Sequence, residues 1–125
     1  MMLIVDDNEI WGRALGRILS EESTVVSDID EAVKIAEDRQ PRVIVLDVYL
    51  GRTLSVHKIG DLKQKAPGAL IVVMTADPDH STGLLAVSNG AYLYLDKVDA
   101  VLLPQLIFEI LGPAESVKPH LRLVS

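Results

Sequence analysis

Five short apolar runs, each ending at a polar residue, constrain this chain more than anything else in it. They are Met2 to Val5 before Asp6-Asp7, Thr24 to Val26 before Ser27, Val43 to Leu46 before Asp47, Ala69 to Met74 before Thr75, and Tyr92 to Leu95 before Asp96-Lys97. The first, third and fourth runs are continuous rather than alternating, which marks strands buried on both faces, and such strands belong to parallel sheets; the second is a weaker strand. A charge has no place inside a strand of this kind. It belongs at the carboxyl end, where open parallel sheets bind their ligands.

Helical periodicity fills the gaps between the runs. After Asn8, a capping residue, the residues Ile10, Trp11, Ala14, Leu15, Ile18 and Leu19 recur at three- and four-residue intervals, and Gly12 and Gly16 permit close packing on a sheet. Asp30 is the expected cap of a second helix with Ala32, Val33, Ile35 and Ala36 inward, ending before Pro41. A third helix is expected over 54–65, with Leu54, Ile59 and Leu62 inward, followed by the Pro67-Gly68 turn. A fourth covers 81–88 and closes at Asn89-Gly90; a last, strongly apolar one covers about 99–111. Strand and helix therefore alternate five times. This predicts an α/β fold: a five-stranded parallel sheet, doubly wound and flavodoxin-like, with strand order 2-1-3-4-5. The expected domain is 1–112, with 113–125 a C-terminal tail or truncated linker.

A chain of 125 residues with 49% apolar residues can bury the core of one such domain. Without cysteine it has neither disulfides nor thiolate metal sites. Its formal charge of −6 argues against direct nucleic-acid binding, which needs clustered Lys and Arg. No apolar run approaches the roughly 20 residues that span a bilayer, and no basic region precedes the first run. The expectation is a cytoplasmic protein that does not engage a membrane.

The predicted topology brings Asp6, Asp7, Asp47, Thr75 and Lys97 to one edge of the sheet. Each has an ordinary structural role when taken alone: helix-start acids, a cap, a solvated lysine. Together they form a constellation. Three close carboxylates raise one another's pKa unless a cation sits among them, and an oxygen-only ligand set suits Mg²⁺. A carboxylate nucleophile, Mg²⁺, an ammonium and a hydroxyl suit phosphoryl transfer. The histidines His57, His80 and His120 are scattered and take no part.

The segments Leu3-Ile4-Val5-Asp6-Asp7, Val43-Ile44-Val45-Leu46-Asp47, Ile71-Val72-Val73-Met74-Thr75-Ala76 and Gly90-Ala91-Tyr92-Leu93-Tyr94-Leu95-Asp96-Lys97 stand in the order and spacing of a known family. The chain resembles a response-regulator receiver domain of two-component signalling from Met2 to about Leu111. The resemblance implies a phosphorylation-dependent signalling switch, in which Asp47 accepts a phosphoryl group from a histidine kinase or phosphotransfer protein. It also implies that Asp7, Asp47 and the backbone carbonyl of Tyr49 hold Mg²⁺ directly, with Asp6 acting mainly through a metal-bound water. Lys97 pairs with the acyl phosphate, Thr75 turns its hydroxyl toward it, and Tyr94 swings inward with Thr75. The face formed by the fourth helix, fifth strand and fifth helix then changes; the apolar last helix on it suits binding of an effector or a second copy, and its apolar residues equally suit burial in the core. The domain is on this reading a phosphoacceptor rather than an enzyme.

Two departures from the family pattern stand out. Val98 follows the lysine where proline is usual, and it is expected to take a trans bond with a shifted loop. The loop after Asp47 lacks the common Met-Pro pair, and Ser55 stands about where glycine is frequent. Tyr49, beside the attacking-water path, is expected to slow hydrolysis of the acyl phosphate. Two alternatives remain at this stage. One is a degenerate receiver acting as a phosphorylation-independent interaction module. The other is a haloacid-dehalogenase-like phosphatase, which requires a second acid where Tyr49 stands. A dinucleotide-binding enzyme is disfavoured, since no Gly-x-Gly-x-x-Gly follows the first run.

Overall fold

The computed structural model describes residues 1–113. The expected tail, from residue 114 on, lies outside the described residues. Five strands, β1 (Met2–Val5), β2 (Ser23–Val26), β3 (Val43–Asp47), β4 (Leu70–Thr75) and β5 (Leu93–Asp96), form one sheet in the order 2-1-3-4-5. Every pairing is parallel, as the continuous apolar runs require. Register fixes which ends meet: Val5 pairs with Leu46, Asp47 with Met74, and Thr75 with Asp96. Residues at four strand ends therefore lie side by side.

Alternate residues of the strands enter opposite layers. Leu3, Val5, Ile44, Leu46, Ile71 and Val73 pack under helices α2 (Ile29–Arg39), α3 (Ile59–Lys65) and α4 (His80–Ser88), which contribute Ala32, Ala36, Ile59, Leu62 and Ala86. Ile4, Val43, Val45, Leu70, Val72 and Met74 face α1 (Glu9–Leu19) and α5 (Leu103–Leu111) through Leu15, Leu19, Leu103 and Ile107. No helix among the described residues is long and apolar enough to cross a membrane.

Several local expectations are corrected. Asp28, not Asp30, caps α2, because its carboxylate accepts from the Asp30 and Glu31 N–H groups at 2.6 and 3.2 Å. Asn8 caps α1 as expected, accepting from the Trp11 N–H at 3.1 Å. The α1 stripe is narrower than its periodicity suggests. Gly12, Leu15 and Leu19 are buried, whereas Ile18 is exposed and Ile10, on the far side of the helix, is 83% exposed. The third helix does not begin at Leu54. Tyr49–Leu50 and Thr53–Leu54 instead form a small antiparallel hairpin, one 3-10 turn follows over Ser55–Lys58, and α3 starts only at Ile59. The last helix likewise opens as a 3-10 segment, Lys97–Leu102, before α5.

Helix α1 lies close on the sheet at Gly12, where a Cβ would stand 2.7 Å from Val25 Cγ1. A β-branched side chain in a strand has little room to yield. Gly12→Ala should therefore lower the free energy of unfolding by about 1–2 kcal/mol through overpacking. That loss is expected despite the better helix propensity of alanine. Gly60→Ala, in open space on α3, should raise it by about 0.5 kcal/mol. Urea midpoints of the two variants against the parent check the opposite signs.

Candidate functional site

The site assembles at the carboxyl ends of β1, β3, β4 and β5. Asp6, the first residue after β1, is buried, and both of its oxygens are engaged. Oδ1 accepts from the Asn8 N–H at 2.8 Å, and Oδ2 accepts from Lys97 Nζ at 2.8 Å. Asp7 is exposed, and its Oδ2 accepts from the Gly51 N–H at 2.9 Å, tying the hairpin to the end of β1. Asp47 ends β3 with its side chain only 13% exposed, and its Oδ2 lies 3.4 Å from Lys97 Nζ. The carboxylates of Asp6, Asp7 and Asp47 offer oxygens all within 4.8 Å of one another, a cluster of the kind that holds a divalent cation.

Burial, then the negative charge of Asp6, push the Asp47 carboxyl up from 3.8 to about 6, against the opposing pull of Lys97. For Lys97, burial disfavours the ammonium, yet the carboxylates of Asp6 and Asp47 outweigh it and hold the pKa above the ordinary lysine value. Lys97 Nζ also stands 4.4 Å from the centroid of the Trp11 ring, on α1.

Beside this cluster opens a cleft of about 420 Å³, lined among others by Asp47, Tyr49, Thr75, Thr82, Tyr94 and Lys97. Thr75 is 7% exposed, and its Oγ1 accepts from the Asp77 N–H at 3.3 Å. Tyr94 packs on α4, where Gly83 makes room for it: a Cβ there would stand 2.8 Å from the ring. The Tyr94 hydroxyl accepts from the Asp79 N–H at 2.9 Å and lies 3.1 Å from the Asp79 carbonyl oxygen, to which it donates. Asp79 is also the N-cap of α4. Backbone and side-chain hydrogen bonds from Ser81, then Thr82, hold its carboxyl below the usual range.

All the residues singled out from the sequence therefore converge. Asp6, Asp7, Asp47 and Lys97 make the charged cluster; Tyr49, Thr75 and Tyr94 line the adjoining cleft. The two departures from the family pattern also find a physical account. Val98 follows Lys97 in a trans linkage, there being no cis peptide among the described residues, and its N–H donates to Asp96 Oδ1 at 2.9 Å. A proline has no such donor, so Asp96 caps the 3-10 segment by a bond that only a non-proline residue allows. Ser55 is fully buried. Its hydroxyl donates to the Asp47 carbonyl and lies 3.0 Å from the Val48 carbonyl, so the chain beyond the hairpin is tied back to the residue that carries the carboxylate. The contacts of Trp11 with Lys97 and of Asp79 with Tyr94 join residues that sequence spacing does not relate. Of the histidines, His57 and His80 stand outside the charged cluster, and His120 lies outside the described residues.

A sequence model of the response regulator receiver domain matches residues 2–107. The chain belongs to that family, and so is a receiver domain of two-component signal transduction. It is 32% identical over 99 residues to the photosynthetic apparatus regulatory protein RegA of Rhodovulum sulfidophilum, covering 77% of this chain and 54% of that protein. Among solved structures, it resembles a response regulator from Burkholderia pseudomallei with a phosphorylated aspartic acid, calcium ion and citrate (TM-score 0.74, 28% identity, 88% of this chain and 72% of that one). It also resembles the beryllofluoride-activated NtrC4 receiver domain dimer (TM-score 0.76, 28% identity, 87% of this chain and 96% of that one). Several curated relatives are much longer, and the chain spans 30% to 54% of three of them.

The Asp47 environment carries a definite pH dependence in metal-free protein. With the folded pKa near 6 and an unfolded value near 3.8, the folded state binds more protons between them, so stability falls as pH rises through that window. Asp47→Asn should remove this slope and gain about 2 kcal/mol at neutral pH. At pH below the unfolded value the two proteins should converge. Urea unfolding in EDTA at both ends of the window measures this.

Proposed function

We propose that Asp47 is the phosphoacceptor of a signalling switch, taking a phosphoryl group from a histidine kinase or phosphotransfer protein. The observation that carries the reading is a poorly exposed carboxylate at a strand end, with two further carboxylates and one ammonium around it. The donor set fits Mg²⁺: three carboxylates with oxygens within 4.8 Å of one another face one lysine, and oxygen ligands of this kind suit a hard divalent cation. Asp6, Asp7, Asp47 and the backbone carbonyl of Tyr49 would hold the ion. When bound, it offsets the charge of the phosphoryl oxygens.

The remaining chemistry belongs to the chain. At neutral pH Asp47 is mainly ionised, so one carboxylate oxygen attacks phosphorus while the donor's P–N or P–O bond breaks and its electron pair leaves with the imidazole or carboxylate. The product is an acyl phosphate on Asp47. Lys97, already 3.4 Å from Asp47, pairs with the new negative charge, and the Thr75 hydroxyl across the cleft donates to a phosphoryl oxygen. Phosphorylation raises the local charge from −1 to about −2 and adds acceptors. Drawing Thr75 inward opens room for Tyr94, whose departure releases both bonds to Asp79 at the start of α4. The face of α4, β5 and α5 would change as a result. It exposes Leu84, Val87, Tyr92 and Phe108, which suits an effector or a second copy of the chain. The domain itself, taken as 1–112, would act as an acceptor with self-phosphorylation and autodephosphorylation chemistry, in the cytoplasm.

Incubation with Mg²⁺ and acetyl phosphate, followed by intact mass, should show one added phosphoryl group that Asp47→Asn abolishes. No addition in the parent, or addition that survives the substitution, would sink the reading. Tyr49 is 56% exposed and lines the cleft two residues beyond Asp47, so its ring obstructs water approaching the acyl phosphate. Tyr49→Asn should shorten the phosphorylated lifetime severalfold. An unchanged or longer lifetime rules the obstruction out.

A further inference from the structure

The ammonium of Lys97 has three N–H donors and no acceptor capacity. Two acceptors are carboxylates: Asp6 Oδ2 at 2.8 Å and Asp47 Oδ2 at 3.4 Å. The remaining side is covered by the face of Trp11, whose centroid is 4.4 Å from Nζ, well inside the roughly 6 Å within which a ring quadrupole attracts a cation. Trp11 is partly buried against the core layer that holds Leu15, Ala100 and Leu103, and it sits in the first turn of α1, where its backbone N–H donates to the Asn8 cap. A flexible four-carbon side chain is thus held at its charged end by groups from three elements. Without the ring, Lys97 retains only the two carboxylates and a side open to water. It can then follow Asp6 alone, since that contact is the shorter one.

We propose that Trp11 is a positioning residue for Lys97: its indole face keeps the ammonium between Asp6 and Asp47, where it meets a phosphoryl group arriving at Asp47. The phosphoryl-transfer part of this inference rests on the reading of Asp47 as acceptor; the hold on Lys97 does not. Two readouts separate them.

Trp11 is the sole tryptophan in the chain, so biosynthetic replacement by fluorinated tryptophans alters this ring and no other. Each added fluorine weakens the negative face while leaving the shape nearly unchanged. The first readout is the rate at which a small amine-acylating reagent modifies Lys97, with Lys63 as an internal reference, followed by peptide mass in metal-free protein. Reactivity of Lys97 should rise stepwise with fluorination and be highest in Trp11→Leu, with Trp11→Phe between Leu and the parent. The second is the rate of phosphoryl uptake from acetyl phosphate with Mg²⁺. It should fall along the same series, to about a tenth of the parent in Trp11→Leu.

A flat acylation series overturns the hold, whatever the phosphorylation data show. A graded acylation series with unchanged uptake overturns the positioning role. If the parent takes up no phosphoryl group, the reading of Asp47 fails while the acylation series still decides the contact. The fluorinated proteins keep the test intact should Trp11→Leu fold poorly, because a role in packing alone would not follow the strength of the ring quadrupole.

Discussion

Bringing Asp6, Asp7 and Asp47 within 4.8 Å of one another costs electrostatic free energy, and among the described residues Lys97 is the cation paired with that cluster. The surrounding structure is arranged around this imbalance. The parallel register puts the strand ends level, Asn8 and Gly51 donate backbone N–H groups to Asp6 and Asp7, and Trp11 covers the ammonium. Burial, then the negative charge of Asp6, raise the Asp47 carboxyl against the pull of Lys97. A buried carboxylate beside a second one gains from a cation placed between them.

That arrangement also explains why the fold and the site cannot be discussed apart. The three central strands, buried on both faces, supply stability through alternate residues directed to two cores, so they carry no charge before their carboxyl ends. Polar chemistry is confined to the ends. The helices then decide what stands above those ends: α1 brings Trp11, α4 brings Gly83 with Asp79 as its N-cap, and the 3-10 segment after β5, capped by Asp96, begins at Lys97.

Much of this was legible in the residues alone. The strand order, the parallel sense and the convergence of Asp6, Asp7, Asp47, Thr75 and Lys97 followed from continuous apolar runs that end in polar residues, because that pattern has few topological solutions. What escaped was local or tertiary in origin. Asp28 and Asp30 are chemically equivalent as caps, and only the turn geometry chose between them. Periodicity places Ile10 inward, although the fully buried line of α1 is Gly12, Leu15 and Leu19 and Ile10 stands on the far side. The hairpin at Tyr49 to Leu54 has strands of two residues, too short for any pattern to register. The contacts of Trp11 with Lys97 and of Tyr94 with Asp79 depend on elements meeting in space, which no spacing rule reports.

Gly83 carries a consequence of another kind. In most positions information lies in the side chain that is present; here it lies in one that is missing, a hollow on α4 shaped to the edge of the Tyr94 ring. Any larger residue would press on the ring and force it or the helix to shift, and the two bonds between the Tyr94 hydroxyl and Asp79 at the N-cap of α4 would be strained with it. An absent side chain thus sets where Tyr94 rests.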